Sequence, residues 1–357
     1  MRIAIAAAAL LFAGPVLADP TLPATNIIAG AVDGYVRPHM QVFAADSERL
    51  ADDFVTLCAS PTPAAATIVR DDFRRVVLDH AGIEFLYFGP LTLGDRSASL
   101  LFWPDNKGIG LRQVQQVLAS KDADAADPAA LAKKSVALRG LGALEFVLFG
   151  TGNKAIDSGA DAYRCAFGAA VAARIKTLAA TLAAEWLNDD PDGPRAHMLD
   201  PQPDAADYRT TKEVLEKLSG ALLVGSETIR DQRISPILGT AEGKPRPKSA
   251  LFWRSEMTVP ALIANFEGLK AFFLAARFPE AVKGNMWIAS GATFEFDNAI
   301  EALQKLEGSM ESIVADPAAL QKLKYVVNVT RSLDTLVGEN LSGALGLTIG
   351  FSGLDGD

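Results

Sequence analysis

Glu145 sits in the apolar run Leu141–Phe149, with Gly140 and Gly142 just ahead of it. A carboxylate in such a run is either paired or hydrogen-bonded once it is buried. Arg139, or an arginine from further along such as Arg254, supplies a partner charge. At about 100° per residue, Ser135, Arg139, Gly142 and Glu145 fall within about 120° of one another on a helix. That spacing predicts a polar face beside a small residue. Two roles stay open for Glu145: a structural ion-pair member, or the carboxylate of a ligand site.

The chain has three histidines. His80 and Glu84 are one helical turn apart, a spacing at which both reach one metal ion; a solvated or capping histidine is the plainer reading. His39 follows Pro38 and has no partner in sequence, and His197 lies in a loop-like stretch. Cys58 and Cys165 are the two cysteines, and in an exported chain a disulfide between them is the natural pairing. Trp103 and Trp253 serve either as core anchors or as ligand contacts. The motifs His-Glu-x-x-His, Gly-x-Ser-x-Gly, Cys-x-x-Cys and the phosphate loop do not occur, and no residue is assigned a catalytic role.

The elements that must position these groups read as helical throughout. Apolar residues recur at three and four positions over 27–57, 66–85, 111–118, 129–149, 160–187, 208–229, 257–277, 298–313 and 317–337. Alanine is abundant in these stretches and favours helix. Asp127-Pro128 and Asp316-Pro317 are start signals, with proline at the first helical position. Pro38 is expected to kink or split the first helix. Residues 188–204 hold four prolines and five aspartates, a composition read here as unable to form a helix or a core. The boundary between an N-terminal bundle (19–187) and a C-terminal bundle (205–349) is placed there, followed by a loose tail, 350–357. Ser99-Leu100-Leu101-Phe102-Trp103 after Gly89 is echoed, at one constant offset, by Ser249-Ala250-Leu251-Phe252-Trp253 after Gly239. Gly140-Leu141-Gly142-Ala143 has a weaker echo in Gly268-Leu269-Lys270-Ala271. The echoes suit a tandem duplication with one helical bundle per half.

Arg2, the short apolar stretch 3–12 and Val16-Leu17-Ala18 make a signal peptide with cleavage expected after Ala18. The apolar stretch is shorter than the roughly 20 residues a membrane-spanning helix needs, and no cysteine offers a lipid anchor. The expected location is the periplasm, with no stable membrane anchor. A formal charge of −9 at pH 7 and the lack of a clustered basic stretch argue against nucleic acid.

Phe88-Gly89-Pro90, Phe102-Trp103-Pro104-Asp105, Gly108-Ile109-Gly110-Leu111 and Gly140-Leu141-Gly142-Ala143-Leu144-Glu145-Phe146 together resemble the imelysin family. So do Ile237-Leu238-Gly239 and Phe252-Trp253-Arg254-Ser255 in the second half. The resemblance implies an all-α fold of two tandem duplicated four-helix-bundle-like domains, a site near their junction, export and a link to bacterial iron uptake. It also implies the signature Gly-x-His-x-x-Glu, which here reads Gly140, Gly142, Glu145, with glycine in the histidine position. The leading expectation is therefore an exported binding or accessory protein. It takes iron, another metal ion or a metal complex, and meets a periplasmic or outer-membrane partner in iron uptake. The ligand set expected is Glu145, Arg139, Ser135, Gly142, Trp103, Arg254 and Ser255, with Glu145, Glu84 and His80 as metal ligands. The alternatives are a metallopeptidase using Glu145, and an interaction scaffold without metal.

Overall fold

A computed structural model describes residues 22–239 and 243–348, which are helices and connecting turns with no strand among them. The signal-peptide stretch and the tail lie outside the described residues. The principal helices are α1 (Ala24–Ala31), α2 (Arg37–Ala59), α3 (Pro63–Ile83), α4 (Ile109–Ser120), α5 (Leu141–Phe149), α6 (Ala162–Leu187), α7 (Thr211–Glu227), α8 (Thr258–Ala275), α9 (Met286–Gln304) and α10 (Pro317–Leu333). The proline starts behave as their chemistry dictates. Asp127 accepts from the Ala130 amide at 2.7 Å and Asp316 from the Ala318 amide at 2.8 Å, each satisfying a donor that the first turn leaves orphaned.

Pro38 does not split the first helix. The chain widens into a π-turn at Val32–Val36 and continues as α2. Proline has no N–H for the preceding turn, and a wider turn accommodates that loss without a break. Two further π-turns, Thr228–Ile234 and Asp334–Asn340, follow α7 and α10. Residues 188–204 do contain a helix, Pro194–Leu199, with Met198 fully buried. Pro194 opens that helix, and the Asp- and Pro-rich reading overlooked that proline is a good first residue. The expected helix over 298–313 is also displaced. Its first part belongs to α9, which begins at Met286, and a separate short helix covers Met310–Ala315.

α2 packs along α6 and α3, and α9 packs between α8 and α10. The halves interlock. α8 lies along α3, and α1 lies against both α7 and α8. Contact between α3 and α8 is close enough that a side chain at Gly268 would meet the Gly82 carbonyl oxygen at 2.7 Å. One apolar cluster runs from Ile27 and Phe54 through Phe85 and Phe272 to Leu341. Two helices are long and apolar enough to cross a membrane, α6 and α8, and about half of each is buried in this cluster. Cys58 at the end of α2 and Cys165 at the start of α6 are joined by a disulfide, Cα–Cα 5.6 Å, closing 107 residues of sequence. On the chain-entropy account such a loop contributes at most about 4–5 kcal/mol.

The α2–α3 face carries carboxylates in pairs. Asp79 is half-buried beside Asp46, and burial first, then the Asp46 charge, push its carboxyl up from 3.8 to about 7, against the pull of Arg75 and Arg49. A folded-state pKa above the unfolded one means that the native protein holds this proton longer. The Asp79 contribution to stability is full below pH 3.8 and is lost as pH rises to about 7. Urea midpoints measured across this range should fall with rising pH, and Asp79→Asn should flatten that fall. An unchanged slope in the variant would assign the effect elsewhere.

Candidate functional site

α5 carries Glu145, and α5 begins only at Leu141. Gly140 approaches the preceding strand of backbone so closely that a Cβ there would lie 2.4 Å from the Leu100 carbonyl oxygen. The helix expected over 129–149 is therefore interrupted. Pro128–Leu131 and a 3-10 turn at Val136–Leu138 precede α5, and Ser135 caps that turn through the Ala137 amide at 3.3 Å. The polar face expected from Ser135, Arg139, Gly142 and Glu145 does not form, because no single helix joins them. Arg139 turns away to Asp95 Oδ2 at 2.6 Å and the Ala132 carbonyl at 2.8 Å. Neither Ser135 nor Arg139 lines the cavity beside Glu145.

The partners of Glu145 come from the other half of the chain. The turn after Leu251 presents the amides of Arg254 and Ser255, which donate to Glu145 Oε1 at 3.1 and 3.0 Å. Two successive amides converging on one oxygen form an anion-accepting nest. The turn is strained, with Phe252 at φ 59° and Glu256 at φ 60°, left-handed conformations that cost about 1–3 kcal/mol each in non-glycine residues. It is braced by the Met257 amide on the Phe252 carbonyl (3.0 Å) and by Thr258 Oγ1 on the Leu251 carbonyl (2.6 Å).

Glu145 is 4% exposed. Burial pushes its carboxyl above the usual range, against the opposing pull of the Ser255 and Arg254 donors and of the Arg254 charge. Ser255 Oγ lies 2.9 Å from Glu145 Oε1 and 3.1 Å from the Phe252 carbonyl oxygen. A hydroxyl has one proton for these two acceptors. The Ser255 proton is shared between them, and Glu145 Oε1 accepts from that hydroxyl as well as from the two amides.

Beside Glu145 opens a cavity of about 450 Å³ walled by both halves: Phe102, Trp103, Asp105 and Phe146 from one, Arg246, Lys248, Trp253 and Arg254 from the other. The two echoed segments thus meet at one site. Gly142 lines the cavity, and a Cβ built there meets nothing within 4 Å. Trp103 is half-buried and ties the halves together, its Nε1 donating to the Gln232 carbonyl at 2.9 Å. The Asp105 carboxylate accepts from the Ile109, Gly110 and Leu111 amides at 2.6, 2.9 and 3.3 Å, where the N-terminal end of α4 favours negative charge. Arg254 stacks on Trp253 (4.5 Å) and Phe146 (5.4 Å), and Lys248 on Trp253 (5.4 Å). Arg246, Lys248 and Phe102 were not among the expected site residues. The signal for the first two is Lys244-Pro245-Arg246-Pro247-Lys248, where cations alternate with prolines that keep the segment out of a long helix.

His80 and Glu84 lie elsewhere. They border a void of about 10 Å³ beyond Leu251 and Phe252, 4.0 Å apart. Glu84 accepts from Arg233 at 2.7 Å and Asn265 at 2.8 Å, another tie between the halves. Burial works to raise the Glu84 carboxyl, yet Arg233, His80 and the Asn265 hydrogen bond together hold it below its ordinary value. Burial lowers His80, favouring the neutral ring. His39 stacks on Tyr35 at 3.8 Å, and His197 pairs with Asp207 at 2.8 Å. Among the described residues no group of three or more His, Cys, Asp and Glu side chains is placed to hold a metal ion. At the cavity the donor set is two engaged carboxylates, Glu145 and Asp105, with an arginine and a lysine beside them, which does not fit a resident metal.

Truncating Glu145 strands two amides and a hydroxyl in a buried turn. Glu145→Ala should cost about 2–4 kcal/mol in urea unfolding. Glu145→Gln, which keeps an acceptor and carries no charge, should cost under about 1 kcal/mol. Equal losses in the two variants would place the charge, rather than the acceptor, at the centre of the role of Glu145.

The profile of the peptidase family described as Imelysin matches residues 31–336. No curated protein matches the chain. Among solved structures, an imelysin-like protein from Psychrobacter arcticum is 17% identical, with a TM-score of 0.76 over 94% of this chain and 100% of its own. A protein from Parabacteroides distasonis described as an iron-regulated protein A precursor is also 17% identical, with a TM-score of 0.72 over 91% and 96%. At that identity these likenesses speak to the fold alone. With the profile matching most of its length and the fold shared end to end, the chain belongs to the imelysin family.

Proposed function

We propose that this protein is an exported binding or accessory protein that holds a small ligand in the cavity beside Glu145 and serves iron acquisition. The single observation that carries the binding role is that cavity. It is walled by both halves, holds about 450 Å³, and has aromatic walls with a few convergent polar groups, the makeup of ligand pockets. The iron link is supported by the family and by the neighbour described as an iron-regulated protein A precursor. Export is supported by residues 1–18, and a partner in the periplasm or outer membrane would then deliver or receive the ligand.

Peptidase activity is not part of this proposal. A hydrolytic metal site needs about three protein ligands and an open position, whereas Gly142 stands where the family signature has histidine. The intact mass of protein recovered from the periplasm should begin at Asp19, and its amount should rise under iron starvation. Incubation with denatured casein and added zinc or iron should leave the substrate intact. Cleavage abolished by both a chelator and Glu145→Gln would reverse this part of the proposal.

The geometry also defines a gain-of-function test. Gly142 opens on the cavity one helical turn from Glu145, so Gly142→His places an imidazole and a carboxylate at i and i+3. Titration calorimetry with zinc should find a site in Gly142→His that the parent lacks, and adding Glu145→Gln should weaken it. No gain would mean that the turn at Arg254 and Ser255 blocks the ion.

A further inference from the structure

The charges around the cavity are unequal in one respect: its carboxylates are occupied and its cations are not. Asp105 takes three amides at the head of α4, and Glu145 takes two amides and a hydroxyl. Among the described residues Arg246, Lys248 and Arg254 form no ion pair within 4.0 Å. Arg246 and Lys248 are exposed and Arg254 is half-buried, whereas several buried or half-buried arginines elsewhere are paired. Arg70 meets Asp157, Arg96 meets Glu185, Arg139 meets Asp95 and Arg233 meets Glu84.

Arg254 is also pre-positioned. Its backbone amide is fixed on Glu145, and its guanidinium is stacked between the neighbourhoods of Trp253 and Phe146. A planar guanidinium held on aromatic rings loses little further freedom when it forks onto a carboxylate. Lys248, stacked on the same Trp253, adds a second charge at the mouth. Phe102, Trp103 and Trp253 supply flat apolar walls. The missing side chain at Gly142 leaves room against the α5 wall.

Resting on the binding reading above, we propose that the ligand is a small organic carboxylate with a flat, apolar body, and that Arg254 is its principal contact. The carboxylate forks onto the Arg254 guanidinium with Lys248 nearby, and the body lies along the tryptophans. A bare metal cation is disfavoured at this end of the cavity by the same three positive charges.

The test uses the mature full-length protein, with benzoate, acetate, inorganic phosphate and zinc chloride as probes, followed by tryptophan fluorescence and calorimetry. Benzoate should bind in the millimolar range or tighter, more weakly in high salt, and better than acetate or phosphate. Arg254→Gln should weaken benzoate about tenfold or more, the loss expected of a charged hydrogen bond. Lys248→Gln should weaken it less, and Lys324→Gln, which is exposed and outside the cavity lining, should not. Thermal melts of each variant establish that it is folded, and Lys248→Gln carries the test if Arg254→Gln is not. Phosphate or acetate matching benzoate would overturn the flat carboxylate assignment. Zinc binding that depends on Glu145, without benzoate binding, would overturn the anion proposal yet keep the cavity as a binding site. No Arg254-dependent binding of any probe would remove both.

Discussion

One carboxylate oxygen organises this molecule. Glu145 Oε1, carried by a helix of the first half, gathers the Arg254 and Ser255 amides and the Ser255 hydroxyl from the second. Those donors belong to a turn with two left-handed residues, which would relax without something to hold it. Holding it aims Arg254 into the cavity and stacks its guanidinium on Trp253 and Phe146. Site geometry is therefore a consequence of this contact, which stands beside the Trp103–Gln232 and Glu84–Arg233 hydrogen bonds as a tie between the halves. Three donors on one oxygen are what let an acid stand in the apolar run Leu141–Phe149.

The helical nature of the chain was legible because its signals are local. Apolar residues at three and four positions, abundant alanine and the Asp-Pro starts at Asp127 and Asp316 each act within one or two turns. Glu145, Gly142, Trp103, Arg254 and Ser255 stood out in the sequence as candidates for a different reason: an acid in an apolar run, and two echoed aromatic segments, are unusual whatever surrounds them. All five belong to the site that the structure assembles around Glu145, either lining the cavity or bonding to the acid.

What failed to be legible depends on tertiary approach. Ser135 and Arg139 share a helical face with Glu145 only if the helix continues through Gly140, whose backbone is extended and packed against the Leu100 carbonyl too closely for any side chain. No periodicity in residues 129–149 reports on a carbonyl forty residues earlier. His80 and Glu84 are a turn apart as expected, yet Arg233 and Asn265 from the second half claim the carboxylate. The echoed segments meet at one cavity, and one apolar cluster spans both halves. Residues 188–204 were misjudged on composition, since Pro194 opens a helix there that buries Met198.

The laying of α8 along α3, and of α1 against α7 and α8, bears on how the chain acquires its shape in time. The segment that completes the core around α1 and α3 is separated from them by nearly the whole first half. An emerging first half has water where α8 belongs, and it keeps that apolar surface until residues 258–275 follow. Such distant pairings make collapse slow and all-or-none, because the entropy of closing the long intervening loop is spent before the contact is made. A chain built this way stays loose until it is nearly finished, the condition in which a polypeptide can be threaded through a narrow channel.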